Sequence, residues 1–109
     1  NYRRDRTVPF VAKVLALQSQ RPGDIVFYKI GSDSEAIKFM AAIDKPIKPQ
    51  FINSPEAILS CKEPAYFIAM DKDFADLPKD VAPHIKRLDS GKIGHDDCVI
   101  FNIYGSLQS

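Results

Sequence analysis

The sequence predicts an α/β domain whose sheet is covered on both faces, and three observations carry that reading. Two short apolar runs, Ile25-Val26-Phe27-Tyr28 and Ala65-Tyr66-Phe67-Ile68-Ala69-Met70, are each followed at once by a polar turn and a helix start, Gly31-Ser32-Asp33-Ser34-Glu35 and Asp71-Lys72-Asp73. Runs that are continuous rather than alternating predict strands buried on both faces, the habit of parallel strands under helices. Segments of helical and strand character also alternate along the chain, which is the α/β pattern. Finally, 109 residues with 45% hydrophobic content make one domain, large enough to bury roughly 65% of its unfolded surface.

The elements follow in order. Thr7 to Gln20 reads as a helix with Pro9 in its first turn, where a missing N–H costs little. Phe10, Val11, Val14, Leu15 and Leu17 form its apolar stripe, and Arg21-Pro22-Gly23 ends it. Asp24 to Ile30 is the first strand. Ser32-Asp33-Ser34-Glu35 has the S-x-x-E form of a capping box, so a second helix is expected from Ser32 to about Ile43, with Ile37, Met40 and Ala41 facing inward. Lys48 to Ile52 reads as a short strand, and Pro49 puts it at an edge. Asn53-Ser54-Pro55-Glu56 repeats the helix-start pattern for a brief third helix ending near Lys62. Ala65 to Met70 is the third strand.

Beyond it, Phe74 to His84 is weakly helical and broken by Pro78 and Pro83, Ile85 to Leu88 is a short fourth strand, and Asp89 to Asp97 is a polar turn containing Gly91 and Gly94. Cys98 to Tyr104 closes the chain as a strand. The predicted fold is a small Rossmann-like layered sandwich. Its sheet of about five strands is mostly parallel and ends in an antiparallel hairpin, with the runs at 24–30, 65–70 and 98–104 at its centre.

Composition excludes several classes. A net charge of +1 gives no general basic field for nucleic acid. The longest apolar run, Ala65 to Met70, is far short of the roughly 20 residues that span a bilayer. The chain opens at Asn1 without a signal peptide and reads as a piece of something longer. Cys61 and Cys98 match no zinc or redox spacing; they read as small buried hydrophobes, with a single disulfide in an oxidising compartment as the alternative.

Candidate chemistry is sparse. Gly31-Ser32-Asp33-Ser34 lies where α/β folds bind phosphate, but it has one glycine and places Asp33 and Glu35 where the phosphate charge belongs, so it reads as a helix cap. Asp71 ends a strand, with Asp73 two residues on, as in phosphoryl-accepting aspartates. No acidic pair follows the first strand, so helix capping and solvation are the preferred role. His95-Asp96-Asp97 reads as turn chemistry rather than a hard-metal site, and His84 as a surface residue. No Ser, His and acid fall in a recognisable elbow. No catalytic, cofactor or metal residue is therefore assigned. Arg3, Arg4 and Arg6 are the one local basic cluster, either a solvated terminus or a contact to lipid phosphate.

The phrases DIVFYKI, KFMAAIDKPI, NSPEAIL, AYFIAMD and CVIFNIY, spread over residues 7 to 104, resemble the soluble C-terminal domain of bacterial polytopic glycosyltransferases, the aminoarabinose-transferase and protein-mannosyltransferase-like group. Phe39-Met40 stands where that group tends to show paired aromatics. The resemblance implies a small α/β domain after the last membrane span, on the periplasmic face of the bacterial inner membrane. Its parent would use polyprenyl-phosphate sugars and keep its catalytic carboxylates in a membrane-domain loop that this chain lacks. The chain would then be a non-catalytic accessory domain (residues 1–6 a juxtamembrane or linker segment) whose partners are its own transmembrane catalytic domain and anionic lipid headgroups at Arg3, Arg4 and Arg6, with no nucleic acid. The alternatives are a stand-alone cytosolic receiver-like or phosphatase-like domain using Asp71, and a small-ligand or protein-binding module.

Overall fold

The computed structural model of the 109-residue chain describes residues 6–104. Ten elements follow one another: α1 (Thr7–Gln20), β1 (Asp24–Tyr28), α2 (Glu35–Ala41), β2 (Gln50–Ile52), α3 (Pro55–Ser60), β3 (Ala65–Met70), α4 (Asp71–Ala75), a 3₁₀ turn (Ala82–His84), β4 (Ile85–Ile93) and β5 (Asp96–Ile103). The strands form one sheet in the order β2-β1-β3-β5-β4, so the three most apolar runs hold its centre.

The continuous apolar runs divide residue by residue between two cores, because successive strand side chains point to opposite faces. Ile25, Phe27, Tyr66, Ile68, Cys98 and Ile100 face α1 and α2 and pack with Phe10, Val11, Val14 and Phe39. Val26, Tyr28, Phe67, Ala69, Val99, Phe101 and Ile103 face the other way and pack with Ile58 of α3, Leu77 and Val81. Phe27 lies edge-on to Phe39 at 5.5 Å, and Phe67 stacks on Phe101 at 5.3 Å.

The mostly parallel, Rossmann-like sandwich is not what forms. Only β1–β2 and β1–β3 are parallel, while β3–β5 and the long β4–β5 ladder are antiparallel. The sheet is mixed, and its longest ladder, β4–β5, is antiparallel. The physical reason is twofold. Burial on both faces demands helices or loops on both sides but does not dictate strand direction. And Gly94-His95 is too short a connection for anything but an antiparallel return, so β5 inserts beside β3 against its direction.

Local expectations shift for similar reasons. β1 ends at Tyr28, and Lys29 takes the left-handed region at φ 56°. The Ser32 capping box is absent. Residues 32–34 form a turn, α2 starts at Glu35 with Ser34 as its N-cap, and the Ser34 hydroxyl donates to the Gly31 carbonyl at 3.3 Å instead. Ala36 and Phe39 then face the core, Met40 is partly buried, and Ile37 (55% exposed) and Ala41 point to solvent. Phe74–His84 divides into the short α4, a loop and the 3₁₀ turn.

The largest departure is at 85–97. The expected short strand and polar turn are one nine-residue strand, β4, closed by a two-residue turn. A bulge at Leu88 shifts the register: Arg87 pairs with Phe101, but Asp89 pairs with Ile100. Odd-numbered residues therefore move from the α3 side of the sheet to the α1 side. Ile85 joins one core and Ile93 the other. Gly91 comes to lie beneath Phe10, where an added Cβ would stand 2.6 Å from the Phe10 ring, so only glycine lets α1 sit this close. The N-terminus of α1 is tied to the hairpin by the Gly94 N–H, which donates to Thr7 Oγ1 at 2.7 Å.

Candidate functional site

Two clefts open at the edge of the sheet where β3 ends and β5 begins, and Asp71 and Asp97 line both. The carboxyl ends of β1 and β3 lie at this edge, the general location of ligand crevices in α/β sheets. The larger cleft, about 480 Å³, is acidic: Glu35, Asp71, Asp96 and Asp97 line it, with Lys72 the one cation on its wall among the described residues. Among the described residues no three His, Cys, Asp or Glu side chains converge on a common metal position.

The other cleft, about 410 Å³, lies between the first half of α1 and the β4–β5 hairpin. Its cations come from three places in the chain: Arg6 just before α1, Lys13 on its second turn, and Arg87 and Lys92 on β4. Phe10 and Gly91 form its floor. Two of the cations are engaged. Lys13 Nζ donates to the Ser90 carbonyl at 2.8 Å and reaches Asp89 Oδ1 at 3.4 Å, and Lys92 pairs with Asp97 at 2.7 Å. Neither Arg6 nor Arg87 has an ion-pair or hydrogen-bond partner among the described residues, and both are exposed. Asp89 is held below the usual carboxylate range. The Ser90 backbone N–H, which donates to it at 2.8 Å, is the main cause, and Lys13 and Arg87 add to it.

The structure thus gathers Arg6 with three cations that the sequence did not group with it. Arg3 and Arg4 lie outside the described residues. Asp71 begins α4, exposed, between the two clefts. His95 sits in the hairpin turn and His84 ends the 3₁₀ turn, both exposed. Lys13 was hidden in the sequence because it is one polar position of an amphipathic helix. Arg87 and Lys92 were hidden because their segment reads as half strand and half turn. Three basic residues in Lys86 to Lys92 was the available signal, but without the bulge it cannot be assigned to a face.

The cysteines are both free thiols. Cys98 lies in the core under α1, whereas Cys61 packs against the core on the opposite face, so the sheet separates them and excludes a bridge between them. Burial pushes the Cys98 thiol up to about 12, and its sulfur lies 3.6 Å from that of Met70. No helix among the described residues is long and apolar enough to cross a membrane. No family model, no curated protein and no solved structure matches this chain.

Proposed function

We propose that this chain is an accessory domain of a membrane glycosyltransferase that uses polyprenyl-phosphate-linked sugars, and that it carries no active site of its own. The reading begins from the resemblance of its packing phrases. The observation that supports it best is the gathering of Arg6, Lys13, Arg87 and Lys92 around one cleft at the start of α1. A domain tethered through its N-terminus presents to the membrane the surface nearest the tether. In this chain that surface carries the cations, which attract anionic headgroups and lipid-linked phosphate at about 1 kcal/mol per charge. The domain works at the periplasmic face of the bacterial inner membrane, packed against its own transmembrane catalytic domain.

The encoding reading frame tests this first. A series of apolar spans of about 20 residues each is expected upstream of Asn1, and a frame lacking them overturns the proposal. In the full-length membrane protein, deleting residues 7–104 should leave the spans inserted and reduce transfer from the lipid-linked donor. The 109-residue chain alone should transfer no sugar. Transfer by it would show that it is an enzyme in its own right.

A further inference from the structure

We propose that the cleft between α1 and the β4–β5 hairpin is a binding site for a phosphate ester whose organic part carries hydroxyl groups, as a glycosyl phosphate does. The cleft presents two guanidiniums, Arg6 and Arg87, that form no salt bridge or hydrogen bond among the described residues, Arg87 feeling only the longer-range charge of Asp89. A guanidinium offers paired N–H donors that match two phosphate oxygens, and it stays charged at any relevant pH. Lys13 and Lys92 add charge but are held by Asp89 and Asp97. That pairing keeps the lysines in place at the walls and leaves the arginines as the phosphate ligands.

The anionic side of the cleft defines the rest of the ligand. Asp71 lies on its rim and has no hydrogen-bond or ion-pair partner among the described residues. A carboxylate repels a bare phosphate and accepts hydrogen bonds only. It therefore favours a ligand that turns its phosphate toward Arg6 and Arg87 and a hydroxyl toward Asp71. The floor is rigid, because Gly91 allows Phe10 to lie directly on the strand and Gly94 holds Thr7, so little ordering is required on binding.

The site rests on the proposed function only for the source of its ligand, which is either the head of a glycosyl lipid phosphate or a soluble sugar phosphate. Three probes separate these: glucose 1-phosphate, inorganic phosphate, and phosphatidylcholine vesicles carrying a polyprenyl phosphate sugar. Nuclear magnetic resonance titration of the 109-residue chain reads the first two through the amides of Ser90, Gly91 and Lys92. Glucose 1-phosphate should bind in the millimolar range and more tightly than inorganic phosphate. Arg6→Ala and Arg87→Ala should each weaken it about tenfold, whereas Lys79→Ala, outside the cleft, should leave it unchanged. Asp71→Asn should erase the preference for the sugar ester and improve inorganic phosphate. No shift at those amides, or equal losses in Lys79→Ala, overturns the site. An unchanged preference in Asp71→Asn overturns its hydroxyl-bearing ligand. Binding of glucose 1-phosphate without capture by the vesicles supports the site and counts against the membrane reading. Capture by vesicles that Arg87→Ala leaves intact, with no response to glucose 1-phosphate, does the reverse.

Discussion

The two halves of the sheet are built by different rules. In the half made of β2, β1 and β3, the two inner strands β1 and β3 are continuous apolar runs, each connection carries a helix, and the strands run parallel. In the β4–β5 half one strand is as apolar as β1, but the other is Ile-Lys-Arg-Leu-Asp-Ser-Gly-Lys-Ile, polar over most of its length, and the pair is antiparallel. The first half takes its shape from local signals that agree with one another. The second takes its shape from what lies beside it: β5 lends hydrogen bonds to a strand with little propensity of its own, and α1 covers it. The cationic cleft lies along the contact between β4 and α1, which belong to different halves.

Substitutions at the two centres should separate those rules, and the largest effect belongs to the first half. Val26 is fully buried, so Val26→Asp places an unpaired charge in the core and should cost about 4 kcal/mol or more in a denaturant melt. An unchanged midpoint would contradict a first strand buried on both faces. Next, Gly91→Ala forces a methyl group against the fully buried Phe10 and should cost about 1–3 kcal/mol. A loss near that of an ordinary exposed strand glycine would mean that α1 does not rest on β4 as described. Gly94→Ala should cost only about 1 kcal/mol, from its φ of +63°, because the nearest atom to the new methyl is the mobile Lys38 ammonium.

The hairpin half also carries a pH signature. Asp89 is depressed in the folded state, so its contribution is present above the unfolded carboxylate value near 3.9 and is lost as pH falls through the lower folded value. Acid melts should show a small extra loss of stability below about pH 4 that Asp89→Asn removes. Cys98 acts at the other end of the scale. Its raised value means that the unfolded thiol ionises first, so stability falls as pH rises from about 9 toward about 12, and Cys98→Ser should flatten that limb. The smallest effect returns to the first half. Ile37→Ser should shift the melt by less than about 0.5 kcal/mol, because Ile37 is exposed; a core-sized loss would restore the helix face that the capping box implied.

The amino-acid sequence by itself determined the α1 boundaries, the edge position of β2, the extent of β3 and the central place of β1, β3 and β5, because apolar spacing and Pro or Gly stops act within a few residues of the feature they create. It also made Arg6 a candidate for phosphate contact. Only the tertiary structure decided the rest. Phe39, not Ile37, enters the core because the turn at 32–34 delays the helix and rotates its face. Gly91 and Ile93 reach α1 because a single bulged residue at Leu88 exchanges the two faces of β4. Arg87 and Lys92 meet Arg6 and Lys13 from more than 70 positions away in the chain. Pairing register and bulges depend on partners distant in sequence, and side-chain direction reverses with each one-residue slip. A cleft whose charges lie on both sides of such a slip has no signature in the linear order of its residues.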